Sequence, residues 1–471
     1  MGSKLLVRSY NVGCGDCIYV RIPNGGDDHF HILIDCGSKE GVNTGVLKRA
    51  IKHMEDNMLP AEDSGKKRLD LIVVTHRHDD HIKGFDPKLF KNIAIKNIWI
   101  TAAMDESHQQ AQKSLALHNF VSGAMQALAE SGAALSPEFD ELVALYGISN
   151  KGATTALTKT LPEKNGIELE YVYAGKTSDD YNISIENTKI FVLGPEKDID
   201  GYYLGKEADE NLRGMQDAGG HFRDQSVPAE DAAPTNISCS DFRTLQSRLL
   251  SNALAFAVDD SKIQNNVSTV LLIEWGKRRL LFVGDAEWEE EYREGQRNGS
   301  WNVMWHVRRA QLSKPVDFLK VGHHGSHNAT PWNRHDDADQ EVNQIFDAIL
   351  PLPEAGKTPT AKCVVSTKRK QYDTIPDAEL LTEIGKRVSN TRTYLTEFQK
   401  VDPNFNPEED IFNYSVMKNY SNEPTPREVG DKGWLDKLQP MRTDMESTGK
   451  GQEKMLNTVE FVDVEIESDN D

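Results

Sequence analysis

Short blocks of hydrophobic residues alternate with polar turns at the start of the chain, a pattern typical of successive β-strands. Leu5–Val12, Cys17–Arg21 and Phe30–Ile34 are apolar runs of strand length. Turn-forming residues separate them, GCGD at 13–16 and PNGGDD at 23–28. The first 34 residues therefore predict three strands in close succession.

Helical periodicity then appears between further strand candidates. A helix is predicted near 44–56, and strands are predicted over Leu71–Thr75 and Ile93–Ile100. The segment from 108 to 131 has helical spacing and good helix formers, and 137–146 could be a second helix. This mixture predicts an α/β fold in which sheet and helix layers pack together.

Strand candidates continue to the end of the chain, but two long polar stretches interrupt them. The later candidates are Ile167–Val172, Thr188–Leu193, Ser268–Ile273, Leu280–Val283, Val316–Val321 and Lys362–Ser366. Residues 199–262 are rich in Gly, Asp and Asn, which predicts a long surface loop or a mobile lid. Residues 400–456 are a second polar insertion, and the alternating stretch TVEFVDVEI after it predicts a last strand before a disordered acidic end.

Composition and charge narrow the class of protein. The chain has 471 residues, 38% hydrophobic and 27% charged, and we find no uninterrupted apolar run long enough to span a membrane. The N-terminal segment lacks the apolar stretch of a signal peptide, and five scattered cysteines fit a reducing compartment, so a cytoplasmic location is expected. A net charge of −20 disfavours indiscriminate binding to nucleic acid or anionic lipid, without excluding a nucleic acid as substrate.

The segment LIVVTHRHDDHIKG at 71–84 carries the strongest chemical signal. In extended backbone, positions i and i+2 face the same way, so His76 and His78 can grip one ion from one side. Asp80 and His81 follow where the chain turns and can grip a second ion. Chance would give these three histidines and one aspartate in roughly one chain per thousand, which disfavours a solvated His-rich loop.

Three other strand ends offer ligands in the same context. Asp285 follows LLFVG, His323 and His324 follow FLKVG, and Asp35 follows HILI. A glycine before a ligand lets the backbone turn tightly in a crowded site. Taken singly, Asp285 or Asp35 is more often a helix cap or a turn residue; together with the 76–81 loop they favour a metal site.

These motifs resemble the metallo-β-lactamase fold, whose HxHxDH signature matches HRHDDH at 76–81. The segments NVGCGDCIYV at 11–20, LIDCG at 33–37 and LKVGHHGS at 319–326 resemble a narrower branch, the hydrolase-like domain of ComEC/Rec2 competence proteins. The likeness spans most of residues 5–398. It implies an αββα metallo-β-lactamase sandwich over 1–398, with insertions at 103–166 and 199–262, followed by a polar insertion, last strand and acidic tail over 399–471.

The resemblance also implies roles for individual residues. His76 and His78 would hold one metal, Asp80 and His81 the other, and Asp285 would bridge the two. His324 would be a ligand, while His323 would meet the scissile group; His323 and Asp80 are the residues expected to act in catalysis. The complete predicted ligand set is His76, His78, Asp80, His81, Asp285 and His324. Asp35 would accept a hydrogen bond from a ligand imidazole, and the metals would be two divalent ions, zinc or, alternatively, manganese.

Some features depart from the family pattern or allow two interpretations. Between His81 and Asp285 only His108, His118 and His221 could supply a further ligand, and all three lie in insertions. The closing segment QYDTIP at 371–376 keeps the family's proline without its histidine. The CxxC of Cys14 and Cys17 could be half of a zinc ribbon or a redox pair, but a family turn fits better.

Ser326 and Lys368 are candidate substrate contacts, with a polar loop and a solvated turn as the respective alternatives. The expected activity is metal-dependent cleavage of phosphodiester bonds, most simply by a nuclease acting on DNA or RNA through water activated by two metals. The alternatives are hydrolysis of a small phosphodiester, such as a cyclic nucleotide or a choline-phosphate ester, or a scaffold that keeps the fold and binds a protein partner through residues 103–166 or 400–456. No membrane association is expected.

Overall fold

The computed structural model of this protein describes residues 4–39, 45–131, 148–205, 255–333, 340–367, 375–389, 442–444 and 459–468. Its strands are β1 Lys4–Tyr10, β2 Ile18–Pro23, β3 His29–Ile34, β4 Lys67–Leu69, β5 Leu71–Val74, β6 Ile93–Ile95, β7 Ile98–Thr101, β8 Leu169–Val172, β9 Thr188–Gly194, β10 Val270–Trp275, β11 Arg278–Phe282, β12 Phe318–Val321, β13 Lys362–Val365, β14 Arg442–Asp444 and β15 Val459–Glu467. Its helices are α1 Val46–Asn57, α2 Asp79–Ile82, α3 Gln112–Ser131, α4 Ile148–Thr155, α5 Leu161–Asn165, α6 Ser300–Leu312, α7 Glu341–Ile349 and α8 Ala378–Arg387. A π-helical turn joins α4 to α5, and residues 255–266 are also helical.

Two large sheets form the centre of the fold. The first has eight strands in the order β14-β15-β1-β2-β3-β5-β7-β8, and the second has five in the order β13-β12-β11-β10-β9. In the first sheet β3, β5, β7 and β8 run parallel, and in the second β11, β12 and β13 do so. Because the ligand-bearing segments follow β5, β11 and β12, the parallel strands decide where the site forms.

Apolar side chains pack in three layers around these sheets. Between the sheets, Val73 and Trp99 from one side meet Phe282 and Phe318 from the other. Outside the first sheet lies α1, and outside the second lie α6, α7 and α8. Burial of each large apolar side chain contributes roughly 2–3 kcal/mol. The predicted αββα fold class is confirmed.

The C-terminal strand belongs to the same sheet as the first strand. β15 pairs antiparallel with β1 along the whole of β1, from Lys4 opposite Glu467 to Tyr10 opposite Phe461. Arg8 joins the two strands, since its guanidinium donates to Asp463 at 2.7 Å and 2.8 Å and lies over the ring of Phe461. The last predicted strand is therefore confirmed, while the division of the chain after residue 398 stays a prediction.

The helix α3 packs against the helical segment 255–266 and the residues that follow it. Leu117, Val121 and Met125 of α3 share a core with Ile263 and Val267. His118 of α3 lies 2.8 Å from the buried carboxylate of Asp260, through its Nδ1. Within the described parts of the chain, no helix has the length and apolar character needed to cross a membrane.

Several predicted elements differ from the observed ones. The predicted strand Ile93–Ile100 is two strands, because the chain turns at Lys96 and Asn97; the Asn97 side chain donates to Asp70 O at 3.0 Å. The loop predicted over 199–262 is wrong at both ends, where Asp200–Leu204 and residues 255–266 are helical, and 206–254 lie outside the described residues. The possible helix at 137–146 and most of the 400–456 insertion also lie outside them.

Candidate metal centre

The 76–81 loop leaves the first sheet directly after β5. His76 and His78 lie in the non-helical segment before α2, with His76 Nε2 3.0 Å from His78 Nδ1. Asp80 and His81 then lie within α2, a single turn of helix. All four side chains are buried. Asp80 and His81 thus follow where the backbone changes from extended to helical, as the sequence predicts, and the ring centroids of His76 and His81 are 4.1 Å apart.

The second sheet delivers the other predicted residues from the ends of β11 and β12. Gly284 precedes Asp285 at a φ of +54°, and a Cβ there would lie 2.9 Å from Thr75 Cβ, so the close approach of the two sheets requires glycine. His323 and His324 both have positive φ, +40° and +55°. Consecutive non-glycine residues in this region are strained and typical of functional sites.

These segments converge on one buried cluster. Asp285 Oδ2 lies 3.2 Å from His81 Nε2 and 3.7 Å from His76 Nε2. His324 Nε2 lies 3.1 Å from Asp80 Oδ2. The potential ligand atoms form two groups, each within 4.8 Å: one contains Asp80, His81, Asp285 and His324, and the other contains His76, His78 and Asp285. The six predicted ligands therefore lie together, with Asp285 shared; that they bind metal stays a prediction.

The donor atoms of this cluster fit divalent cations. Among the described residues, His78 Nε2 and Asp80 Oδ1 are buried without a hydrogen-bond partner, while His81 Nε2 faces the Asp285 carboxylate at 3.2 Å. Each such atom costs about 1–3 kcal/mol when it is left unsatisfied. Imidazole nitrogens and carboxylate oxygens are the ligands of zinc and manganese, so bound cations would satisfy the atoms that the protein leaves unpaired.

Supporting residues fix the orientation of the imidazoles. The Asp35 carboxylate, at a φ of +56°, accepts from Thr75 N at 2.7 Å and from Thr75 Oγ1 at 2.6 Å, and it lies 2.7 Å from His81 Nδ1. His324 Nδ1 donates to the carbonyl of Ser366 at 2.8 Å. Ser268 Oγ lies 3.3 Å from His76 Nδ1. In His81 and His324, this leaves Nε2 for the cluster.

Burial and charge divide the titratable groups of the cluster into two kinds. Burial lowers the pKa of His76 and that of His78, the latter to about 4. Burial also acts to lower the pKa of His81, but Asp285 and Asp35 outweigh it, so that the pKa is raised well above 6.5. Burial raises the pKa of Asp35. His81 and Asp35 therefore hold a proton between them, and cation binding would release protons.

The carboxylates that face the cluster stay ionised. Burial acts to raise the pKa of Asp285, but His81 and His323 outweigh it, and the pKa is held well below 3.8. The pKa of Asp80 is likewise lowered, because Lys39 and His324 outweigh the effect of burial. Lys39 Nζ lies 3.1 Å from Asp80 Oδ2. Negative charge is therefore available to cations in the cluster.

His323 lies at the rim of the cluster. Its side chain is 21% exposed, its Nε2 lies 3.9 Å from Asp285 Oδ2, and its Nδ1 lies 3.6 Å from Glu287 Oε1. Glu287 is buried and accepts from Asn265 at 2.8 Å. An imidazole placed this way can reach both the cluster and a bound substrate.

The remaining predicted residues have other partners or lie outside the description. The Ser326 hydroxyl donates to Asn328 at 2.8 Å, which leaves substrate contact as a prediction, and Lys368 lies outside the described residues. Of the three spare histidines, His118 pairs with Asp260, His108 lies 2.7 Å from Lys197 O, and His221 is outside the described residues. Cys14 and Cys17 are buried free thiols, and Cys17 Sγ is 4.0 Å from that of Cys36.

Sequence reasoning missed four contributors to this centre. Thr75, Ser268 and the Ser366 carbonyl hold imidazoles, and Lys39 pairs with Asp80. Thr75 adjoins the loop and Lys39 closely follows LIDCG, so proximity to those motifs was an available signal. Ser268 and Ser366 are far away in sequence, and only the fold brings them close.

Comparisons with known proteins agree with part of this picture. Residues 12–146 match the model of the Metallo-beta-lactamase superfamily. No curated protein has a sequence that matches the chain significantly. A solved structure described as the crystal structure of unliganded yeast PDE1 is similar at 11% identity, over 81% of this chain and 93% of that one. Its TM-score of 0.35 is too low to indicate a shared fold by itself.

The family match and the observed α/β layers together confirm the coarser part of the resemblance. The narrower ComEC/Rec2 assignment stays a prediction. Over residues 12–146, then, this chain is similar to the metallo-beta-lactamase superfamily.

Proposed function

We propose that this protein is a metal-dependent hydrolase that cleaves phosphodiester bonds, and that a nucleic acid is its substrate. The main support is the shared carboxylate: Asp285 belongs to both buried ligand groups, so that it would contact both cations if two were bound. A carboxylate bridge suits phosphodiester chemistry better than a cysteine would. The superfamily match supports a hydrolase as the class of activity.

The residues around the cluster have different roles in the proposed reaction. Two divalent cations held there would bind an anionic phosphate oxygen and allow water to ionise near neutral pH. Asp35 and the Ser366 carbonyl keep Nε2 of His81 and His324 turned inward. His323, partly exposed and facing Glu287 through Nδ1, is positioned to give a proton to the departing oxygen.

The test measures both the metal content of the purified protein and its cleavage activity. Purified protein should contain divalent metal by elemental analysis and should cleave single-stranded DNA, RNA or bis-p-nitrophenyl phosphate. His78→Ala and Asp80→Ala should each lower cleavage by about 1,000-fold or more, because each removes a ligand and several kcal/mol of transition-state stabilisation. Circular dichroism should show that both variants remain folded.

The exposed His306 offers a matched control, since His306→Ala removes an imidazole outside the cluster. Full activity in His78→Ala, or no cleavage of any of the three substrates by metal-loaded protein, would contradict the proposal. If the cluster variants keep a cellular phenotype and a bound partner, the protein is a scaffold instead.

A small phosphodiester is the second candidate substrate, and the net charge of −20 favours it over a polyanion. Salt dependence separates the two candidates. A polymer held by several phosphate contacts loses affinity steeply as salt rises, whereas a substrate held by one or two contacts loses little.

A further inference from the structure

Lys39 reaches the candidate metal centre from a loop that packs closely against the 76–81 loop. Its backbone N–H donates to Cys14 O at 2.7 Å, and the preceding Ser38 hydroxyl donates to Val12 O at 2.5 Å. Gly37 lies so close to the 76–81 loop that a Cβ at this position would be 2.1 Å from the carbonyl carbon of Asp80. The starting point of the Lys39 side chain is therefore fixed by contacts on both sides.

The side chain of Lys39 connects the surface to the ligand cluster. It is 19% exposed, whereas that of Asp80 is 2% exposed, and their charged ends are 3.1 Å apart. The same oxygen, Asp80 Oδ2, lies 3.1 Å from His324 Nε2. The lysine ammonium therefore pairs with a carboxylate of the predicted ligand set through Oδ2, while Oδ1 of the same carboxylate is unpaired among the described residues.

A cation bound by Asp80 would repel this ammonium, because two positive charges would share one carboxylate. The four-carbon stem of lysine is flexible and its ammonium is strongly hydrated, so the charge can turn towards the exposed side. An anionic substrate must approach the cluster through an exposed part of the site. The displaced ammonium would then offer a positive charge where the phosphate arrives.

We propose that Lys39 is a specificity-determining residue that binds the negatively charged phosphate group of the substrate once metal occupies Asp80. This inference rests on the proposed function, and it narrows the substrate to esters that carry a negative charge beside the scissile bond. Lys39 thereby has two successive partners, the Asp80 carboxylate in the metal-free protein and the substrate anion in the loaded one.

The decisive experiment measures metal affinity and anion affinity separately in Lys39→Met. The full-length protein is loaded with Zn²⁺ or Mn²⁺, and binding of inorganic phosphate is followed by calorimetry. Loss of one charged hydrogen bond should weaken phosphate binding by about 10- to 100-fold. Metal affinity should stay the same or rise, because the competitor for Asp80 has been removed, and Lys39→Arg should keep most of the phosphate affinity.

Lys83 provides the matched control. Its side chain is 20% exposed, and its Nζ lies 3.8 Å from Asp79 on the same loop. Lys83→Met should change neither affinity. A purely structural role for Lys39 would instead make metal affinity and phosphate affinity fall together in Lys39→Met.

Unchanged phosphate binding in Lys39→Met, or a parallel loss of metal, would overturn the inference. Failure of the proposed function has a different signature: loaded wild-type protein would bind phosphate through Lys39 but cleave no phosphodiester. The two ideas can therefore fail independently.

Discussion

Two buried polar clusters of this protein differ in how completely their hydrogen-bonding atoms are paired. In the ligand cluster, His78 Nε2 and Asp80 Oδ1 are buried without a hydrogen-bond partner among the described residues. In a neighbouring asparagine cluster, Asn266, Asn298 and Asn302 have both amide atoms paired. Both clusters are buried. The difference teaches that burial alone does not mark a site, and that unpaired atoms within a group of His and Asp side chains are the stronger signal.

Asn298 illustrates the satisfied kind of cluster. Its Nδ2 donates to Arg293 O at 2.9 Å and to Gln296 O at 2.8 Å, and its Oδ1 accepts from Arg293 N at 2.7 Å. The asparagine folds the loop after Asp285 onto itself, and nothing is left for a ligand to complete. The ligand cluster is the reverse, because its Nε2 atoms face other potential ligand atoms: that of His76 lies 3.0 Å from His78 Nδ1, and that of His324 lies 3.1 Å from Asp80 Oδ2.

The largest expected effect is that of metal on stability. If the unpaired atoms are ligands, a divalent cation at a thousand times its Kd should raise the free energy of unfolding by about 4 kcal/mol. Chelation should remove this gain, as measured by urea unfolding with and without metal. In Asp285→Ala, which lacks the shared carboxylate, the metal-dependent gain should be largely absent; an equal gain there would break the contrast between the clusters.

Asn298→Ala should have the next largest effect, of a different kind. It leaves buried backbone groups unpaired, which should cost about 3 kcal/mol of unfolding free energy. Metal content, measured by elemental analysis of the folded protein, should stay at the wild-type level. Loss of metal in this variant would mean that the asparagine cluster is part of the ligand site after all.

The smallest expected effect concerns His31, a buried imidazole outside the ligand cluster whose Nδ1 lies 2.6 Å from the hydroxyl of Tyr19. Burial and, next, Arg68 lower the pKa of His31 from 6.5 to about 3. Below about pH 6.5 the unfolded chain takes up a proton at His31, whereas the folded chain does not. The contribution of the neutral His31 to the free energy of unfolding is therefore fully present above that pH and is lost as the pH falls towards 3. Between about pH 6.5 and pH 5 the loss should be roughly 2 kcal/mol.

Urea unfolding across this pH range checks the prediction. His31→Phe should reduce the dependence of unfolding free energy on pH, because one titrating group is gone, while the buried His76 and His78 still contribute to it. His306→Phe, at an exposed position, should leave the wild-type slope in place. A slope unchanged in His31→Phe would show that His31 is not a source of the pH dependence.

The sequence was informative where a signal is local. Neighbouring residues are enough to predict the strand before HRHDDH, the strand ends marked by the glycines before Asp285 and His323, and the strand in TVEFVDVEI. The structure has a strand or a strand end at each of these places. The predicted ligands lie together. Each of them follows the end of β5, β11 or β12 along the chain, so each could be recognised from the strand before it.

Other features depend on long-range contacts that no local pattern contains. Ser268 and Ser366 support histidines some 192 and 42 positions away in sequence, and only the pairing of the sheets brings them there. The helices α7 and α8 were missed because nine or ten residues give fewer than three turns of periodicity. The strand Ile93–Ile100 was misjudged because its two halves join different sheets.

The antiparallel pairing of β1 with β15 has a consequence for how the protein matures in the cell. During synthesis, the hydrogen-bonding edge of β1 next to β15 has no native neighbour until residues near 467 leave the ribosome, more than four hundred residues after β1 itself. An uncovered edge strand is prone to pair with other chains. The nascent polypeptide therefore carries this uncovered strand edge through almost the whole of translation.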